Sequence, residues 1–316
     1  MKLKSFTLIL LLIFSLFNLY AESNTMPILV SFYDGDTLIQ SSYYQPYAIF
    51  DFPTDLIKDG YLFYGWEIQG KEIPSAQTNY FLPYSDEEYC FKAIWIKTNT
   101  DQLKIKYSPD GNNNCVYDCK DKTIQTLVIP SDVTCIDSNA FILCRSLTTV
   151  IIPDNVDTIK DNAFMACSSL KKIIIPNSVT EISLRAFSQC SSLESIILPD
   201  GLIRIGDIAF ASCTSLTEIN IPDSVESIGY SAFEGCESLE SVVIPNSVTS
   251  IDRWTFANCT SLTEINIPDN VESIDHYAFY NCSSLESIYI DKEKDSLDLN
   301  NASIPNTAIV YWRGEF

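Results

Sequence analysis

"CTSLTEINIPDSVESIGYSAFEG", residues 213–235, returns as "CTSLTEINIPDNVESIDHYAFYN", residues 259–281, with 17 of 23 positions identical. A further copy lies between them, and the spelling extends in both directions. Cysteine recurs at 144, 167, 190, 213, 236, 259 and 282, each 23 residues after the last. Phenylalanine keeps the same step from Phe141 to Phe279, and proline from Pro130 to Pro268. The unit reads C-x-S-L-x-x-I-x-I-P-x-x-V-x-x-I-x-x-x-A-F-x-x. An ungapped period of this length signals a solenoid, because one unit cannot bury its apolar side alone and must lean on its neighbours.

Within one unit, "SLTEINIP" places Ile219 and Ile221 on the same face of a strand by two-residue alternation, with Leu216 leading in. Proline ends the strand, having no N–H to give to the next coil. Val225 and Ile228 of "VESI" point inward as the chain turns. "SAFEGC" returns through a compact helical or 3₁₀ turn, with Phe233 and Cys236 filling the middle. Stacked coils put equivalent strands ~4.8 Å apart in a parallel sheet, so like residues form ladders. Close packing then fixes the volume allowed at each rung.

In register and copy after copy, "SLTEINIP", "VESI" and "AFEGC" resemble the BspA-like, treponemal-type leucine-rich repeat family, over roughly residues 103 to 312. The fold class is therefore a repeat solenoid with a parallel β-sheet and short turns. Residues 103–130 form an amino-terminal cap and first strand around a Pro-Asp-Gly turn. Residues 131–290 carry the repeats, and 291–316 close the stack, Asp291 replacing the ladder proline. The family resemblance implies adhesion to host matrix proteins or other microbes.

Ahead of the solenoid, Lys2 and Lys4 precede a predominantly apolar run from Phe6 to Phe17, and Ala21 offers a small residue for cleavage. Residues 1–21 read as a secretory signal peptide, too short for a comfortable membrane span. Residues 28–97 hold no repeat. "ILVSFYDGDTLIQ" reads as a hairpin with an Asp-Gly turn. Phe32, the stretch "DGYLFYGW" and the closing "FKAIW" resemble the Listeria–Bacteroides or internalin-type B repeat, which implies a small β-grasp-like, mostly β, domain of extracellular bacterial proteins.

A net charge of −21 repels phosphate backbones and anionic headgroups, so nucleic acid and membrane surfaces are set aside as partners. The ladder cysteines read as buried reduced thiols, since parallel side chains in register are poorly disposed for a disulfide torsion. Cys90, Cys115, Cys119 and Cys135 stand outside the ladder, and a bridge in the cap is left open. "CVYDC" with a single histidine is no zinc set. His276 occupies a variable turn position shared by Tyr230 and Arg253, which leaves no histidine triad. Recurring carboxylates such as Glu218 and Glu264 read as a solvated face, and no glycine-rich phosphate loop is present. No catalytic residue, metal or cofactor is expected. Sequons at Asn258, Asn281 and Asn301 are by-products of the repeat spelling.

The outward face of the sheet is the candidate ligand-binding surface. Its central column runs Val128, Ile151, Ile174, Ile197, Asn220, Val243, Asn266 and Tyr289, beside a more polar column from Thr126 to Ser287. β-Branched residues favour strands in any case, yet a continuous exposed apolar stripe marks an interaction site. Arg185, Trp254 and Tyr277 on a variable turn form a secondary candidate. The chain is read as a secreted or cell-surface binding protein for an extracellular protein or glycoprotein, with no membrane insertion. A structural spacer and, more remotely, an extracellular hydrolase remain as alternatives, and the oligomeric state is open.

Overall fold

The computed structural model describes residues 28–44, 48–53, 61–68, 71–74, 79–81, 88–97, 100–108 and 113–315. The expected leader at 1–21, Gly60 of the aromatic stretch and the Pro109-Asp110-Gly111 turn lie outside the described residues. The chain divides into two compact units, the second beginning at Lys97.

The first unit is built on a five-stranded sheet. Strands β1 (Ile28–Asp34), β2 (Thr37–Tyr44), β3 (Ile49–Asp51), β4 (Tyr61–Ile68), β5 (Lys71–Pro74), β6 (Asn79–Phe81) and β7 (Tyr89–Lys97) follow in chain order. Their spatial order is β2-β1-β7-β4-β5, with β3 and β6 paired separately. Gly35, at φ 59°, makes the turn between β1 and β2. Without a Cβ it enters the left-handed region at little cost. Phe32 centres the core, stacked on Phe91 at 5.3 Å and edge-on to Trp66 at 5.0 Å.

The second unit opens with β8 (Leu103–Lys106) and β9 (Cys115–Cys119), an antiparallel pair. Asn114 ties this cap to the first coil: its buried amide donates to the Asp132 carbonyl at 2.7 Å, and its N–H donates to Thr134 Oγ1. The coils then carry two rows of parallel strands where the repeat spelling indicates one, each row broken once, into sheets of four and five strands and of seven and two. The first runs through Thr126–Val128, Thr149–Ile151, Lys172–Ile174 and Ser195–Ile197, and is continued by Glu218–Ile219, Ser241–Val243, Glu264–Ile267, Ser287–Ile290 and Ile309–Trp312. The second uses two-residue strands from Cys135–Ile136 to Ser273–Ile274 and takes in β9 and β8 at its start.

The return segment is a train of overlapping β-turns, not the expected helical or 3₁₀ turn. In the first coil the N–H groups of Ala140, Ile142 and Cys144 donate to Asp137, Asn139 and Phe141 within the coil. Those of Asn139, Phe141 and Leu143 donate instead to Asp161, Ala163 and Met165 in the next coil. A helix would spend every amide internally; this alternation frees half of them to stitch coils together. Left-handed residues make it possible, Asn139 at φ 62° and Leu143 at φ 61°, and both positions recur along the stack.

One continuous core fills the solenoid. The phenylalanines stack face to face from Phe141 to Phe279 with centroids 5.1 to 6.0 Å apart. Each thiol from Cys167 to Cys282 donates to the carbonyl of the phenylalanine 26 residues earlier, as Cys213 does to Phe187 at 3.2 Å. At the far end Ala302 accepts the Phe279 N–H and the ladder stops. Arg313 binds Asp291 at 2.6 Å and reaches Asp269, which pins the closing segment.

Candidate binding surface

Two-residue alternation decides what the longer sheet shows to solvent. Ile173, Ile196, Val242 and Ile265 point into the core, and the residue after each points away. Ile174, Ile197 and Val243 are 52, 48 and 65% exposed. Asn220 is exposed between Ile197 and Val243 and Asn266 is exposed one coil beyond Val243, while Ile151 and Tyr289 are half-buried. Tyr289 is partly covered because it stacks on Tyr311 at 5.3 Å, a rung supplied by Ile309–Trp312. Val128 departs from the expected column at 1% exposure, so the stripe starts at Ile151. Thr149, Lys172, Glu218, Ser241 and Glu264 line its exposed polar edge.

The secondary candidates fall on one repeat position of the turn train, the first of its two left-handed ones: Arg185 at φ 53°, Trp254 at 62° and Tyr277 at 62°. Ile208 shares this conformation, which is strained for a β-branched residue. Trp254 and Tyr277, on consecutive coils, stack at 4.7 Å; Arg185 lies three coils away and is not brought to them. Tyr280, absent from the expected set, joins edge-on to Trp254 at 5.5 Å and to Tyr277 at 6.1 Å. Its signal in the sequence is a ring where most other coils carry Ile, Met, Ser or Ala.

His276 is exposed, its Nδ1 2.6 Å from Asp275 Oδ1, and that contact holds the Asp275 carboxyl below its usual range. An open groove of about 450 Å³ on the turn side is lined by Arg145, Ser168, Gln189, Ser191, Ser212 and Thr214. The Ser191 and Thr214 hydroxyls there are committed to carbonyls of the preceding coils. All eleven cysteines are free, Cys90 exposed and the rest buried. Cys115 and Cys135 are register partners on adjacent strands. Burial pushes the Cys190, Cys236 and Cys282 thiols up to about 12. Among the described residues no three His, Cys, Asp or Glu side chains are grouped to hold a metal ion. No helix among them is long and apolar enough to cross a membrane.

The BspA type leucine-rich repeat region matches the chain in six copies, over residues 87–194, 112–240 and 180–302. Among solved structures, the chain is similar to a Treponema pallidum leucine-rich repeat protein: 32% identity, TM-score 0.57, covering 60% of this chain and 91% of that one. It is also similar to a leucine-rich repeat protein from Bacteroides ovatus: 31% identity, TM-score 0.57, covering 67% of this chain and 60% of that one. No curated protein sequence matches.

Proposed function

We propose, from the premise that this chain belongs to the BspA type leucine-rich repeat family, that it is an exported adhesive protein whose open sheet face engages an extracellular protein or glycoprotein. The observation that carries the reading is the stripe of Ile174, Ile197 and Val243, three aliphatic side chains left about half in water on a surface the fold could have made polar. Asn220 and Asn266 supply hydrogen-bonding groups within the stripe, and its edge is polar, the usual composition of a protein-binding patch. Acidic residues elsewhere disfavour anionic competitors. The leader-like segment Lys2 to Ala21 supports the export in this reading.

The test is binding of the chain to a panel of immobilised matrix glycoproteins and microbial surfaces, beside an Ile174→Glu, Ile197→Glu variant of unchanged circular dichroism. Saturable binding weakened at least tenfold in the variant is the expected result. Equal binding by both removes the sheet face from the reading, and no binding by either returns the protein to a spacer role.

A further inference from the structure

The late coils carry an aromatic outcrop that folding does not require. Trp254 and Tyr277 occupy a position that Asn139 and Asn162 fill in the first two coils, with φ between 57° and 62° in all four. Asparagine enters the left-handed region readily, whereas a bulky ring there is strained. Tyr280 occupies a position that Ser188, Ala211 and Ala257 fill as small buried residues. All three rings are therefore additions at sites the repeat closes without them. Arg185, Ile208 and Ser231 hold the same conformation in the coils between, so the clustering of three rings, not the strain, marks the site.

The geometry narrows the ligand. Tyr277 and Tyr280 are 44 and 46% exposed, and the three rings touch one another, with centroids 4.7 to 6.1 Å apart. No gap is left between them for an ammonium ion, which an aromatic cage would need. Planar polar groups flank the rings. His276 packs by Tyr277 at 6.3 Å, with Asp275 bound to it, and the Asn281 amide donates to Asn258 Oδ1 at 3.0 Å, forming an amide pair beside Tyr280 in the chain. Ring faces beside carboxylate and amide groups complement a pyranose, whose C–H face is apolar and whose rim is hydroxyl. The net charge of −21 selects a neutral sugar over an anionic one. We propose that Trp254, Tyr277 and Tyr280 form a platform for a neutral oligosaccharide, separate from the sheet stripe.

The experiment titrates the full chain with cellohexaose, chitohexaose and mannohexaose, by calorimetry and tryptophan fluorescence. Asparagine from the early coils supplies the test variants Trp254→Asn and Tyr277→Asn, and alanine supplies Tyr280→Ala. The expected result is saturable binding of at least one hexaose, tenfold or more weaker in each single variant and lost in Trp254→Asn, Tyr277→Asn. Melting temperatures of the asparagine variants should be unchanged or raised, and Ile174→Glu, Ile197→Glu should bind sugar normally, which keeps this site distinct from the sheet face. No binding of any hexaose, binding that survives the double variant, or binding of tetramethylammonium in place of all three sugars overturns the proposal.

Discussion

At a single rung the cysteine does two jobs that no near-isostere combines. Its sulfur fills a position of zero exposure, and its S–H satisfies a second lone pair on a carbonyl that already accepts a backbone N–H. Alanine would leave a void and serine would bring a more strongly solvated group into a dry core. The same burial raises the thiol values of Cys190, Cys236 and Cys282 from about 9 to about 12. Below pH 9 both the folded and the unfolded chain keep these thiols protonated, so their burial costs nothing. Between pH 9 and about 12 the unfolded chain releases protons that the folded chain retains, and stability falls as pH rises. At ~1.4 kcal/mol per pH unit per group, several such thiols together rival the whole stability of an ordinary domain. The expected outcome is cooperative alkaline unfolding in that window: thiolate absorbance from the ladder should rise only together with loss of circular dichroism, and Cys236→Ala should flatten the slope. Ladder thiolates appearing in a chain with native dichroism would refute it.

At the level of elements, the rungs were legible because a 23-residue period and alternation around one proline leave few ways to place Leu, Ile and Phe. The core positions Leu216, Ile219, Ile221, Val225 and Phe233 are all buried. Legibility ended where alternation is too short to read. The second sheet uses strands of two residues, which contain a single alternation and resemble a turn. The turn train was hidden for another reason: Trp254, Ile208 and Leu143 have no local preference for φ near 60°, and stitching between coils imposes it on them. Burial of Val128 and half-burial of Tyr289 depend on what lies over the first and last rungs, which the repeat does not encode. Among elements, the phenylalanine stack carries the sharpest test. Phe210 has a ring on both sides, at 5.6 and 5.5 Å, whereas Phe141 has one at 5.1 Å. Truncating a core phenylalanine costs about 3–5 kcal/mol, and each lost ring pair adds about 0.5–1.5. Urea denaturation should therefore place Phe210→Ala near the upper end and Phe141→Ala below it. Equal losses would mean that the stack contributes volume alone.

For the molecule as a whole, nearest-neighbour stacking makes the last coil as dependent on its cover as the middle coils are on each other. Leu297, Ala302 and Trp312 are buried in the segment that follows Ile290, and Ile309–Trp312 adds a parallel strand beside Ser287–Ile290. Lys294 pairs with Glu315 at 3.5 Å, and Glu315 accepts the Trp312 N–H at 3.0 Å, so charge is held beside the terminal strand. Charged groups on an edge strand oppose its pairing with another chain. A chain ending at Asp291 would uncover the end of the phenylalanine stack at Phe279 and the edge of Ser287–Ile290 together. Both are self-complementary: a bare ring face stacks on a ring face, and a bare edge pairs with an edge. Repulsion from the net charge, −21 in the full chain and −20 once the three basic and four acidic residues after Asp291 are removed, acts over about 10 Å at 0.1 M salt and shortens as salt rises. The truncated chain should thus associate more strongly at 1 M than at 0.1 M sodium chloride, with light scattering after gel filtration as the measurement, while the full chain keeps one mass at both. A truncated chain that stayed monomeric at 1 M salt with native dichroism would show that the solenoid closes itself without the segment after Asp291.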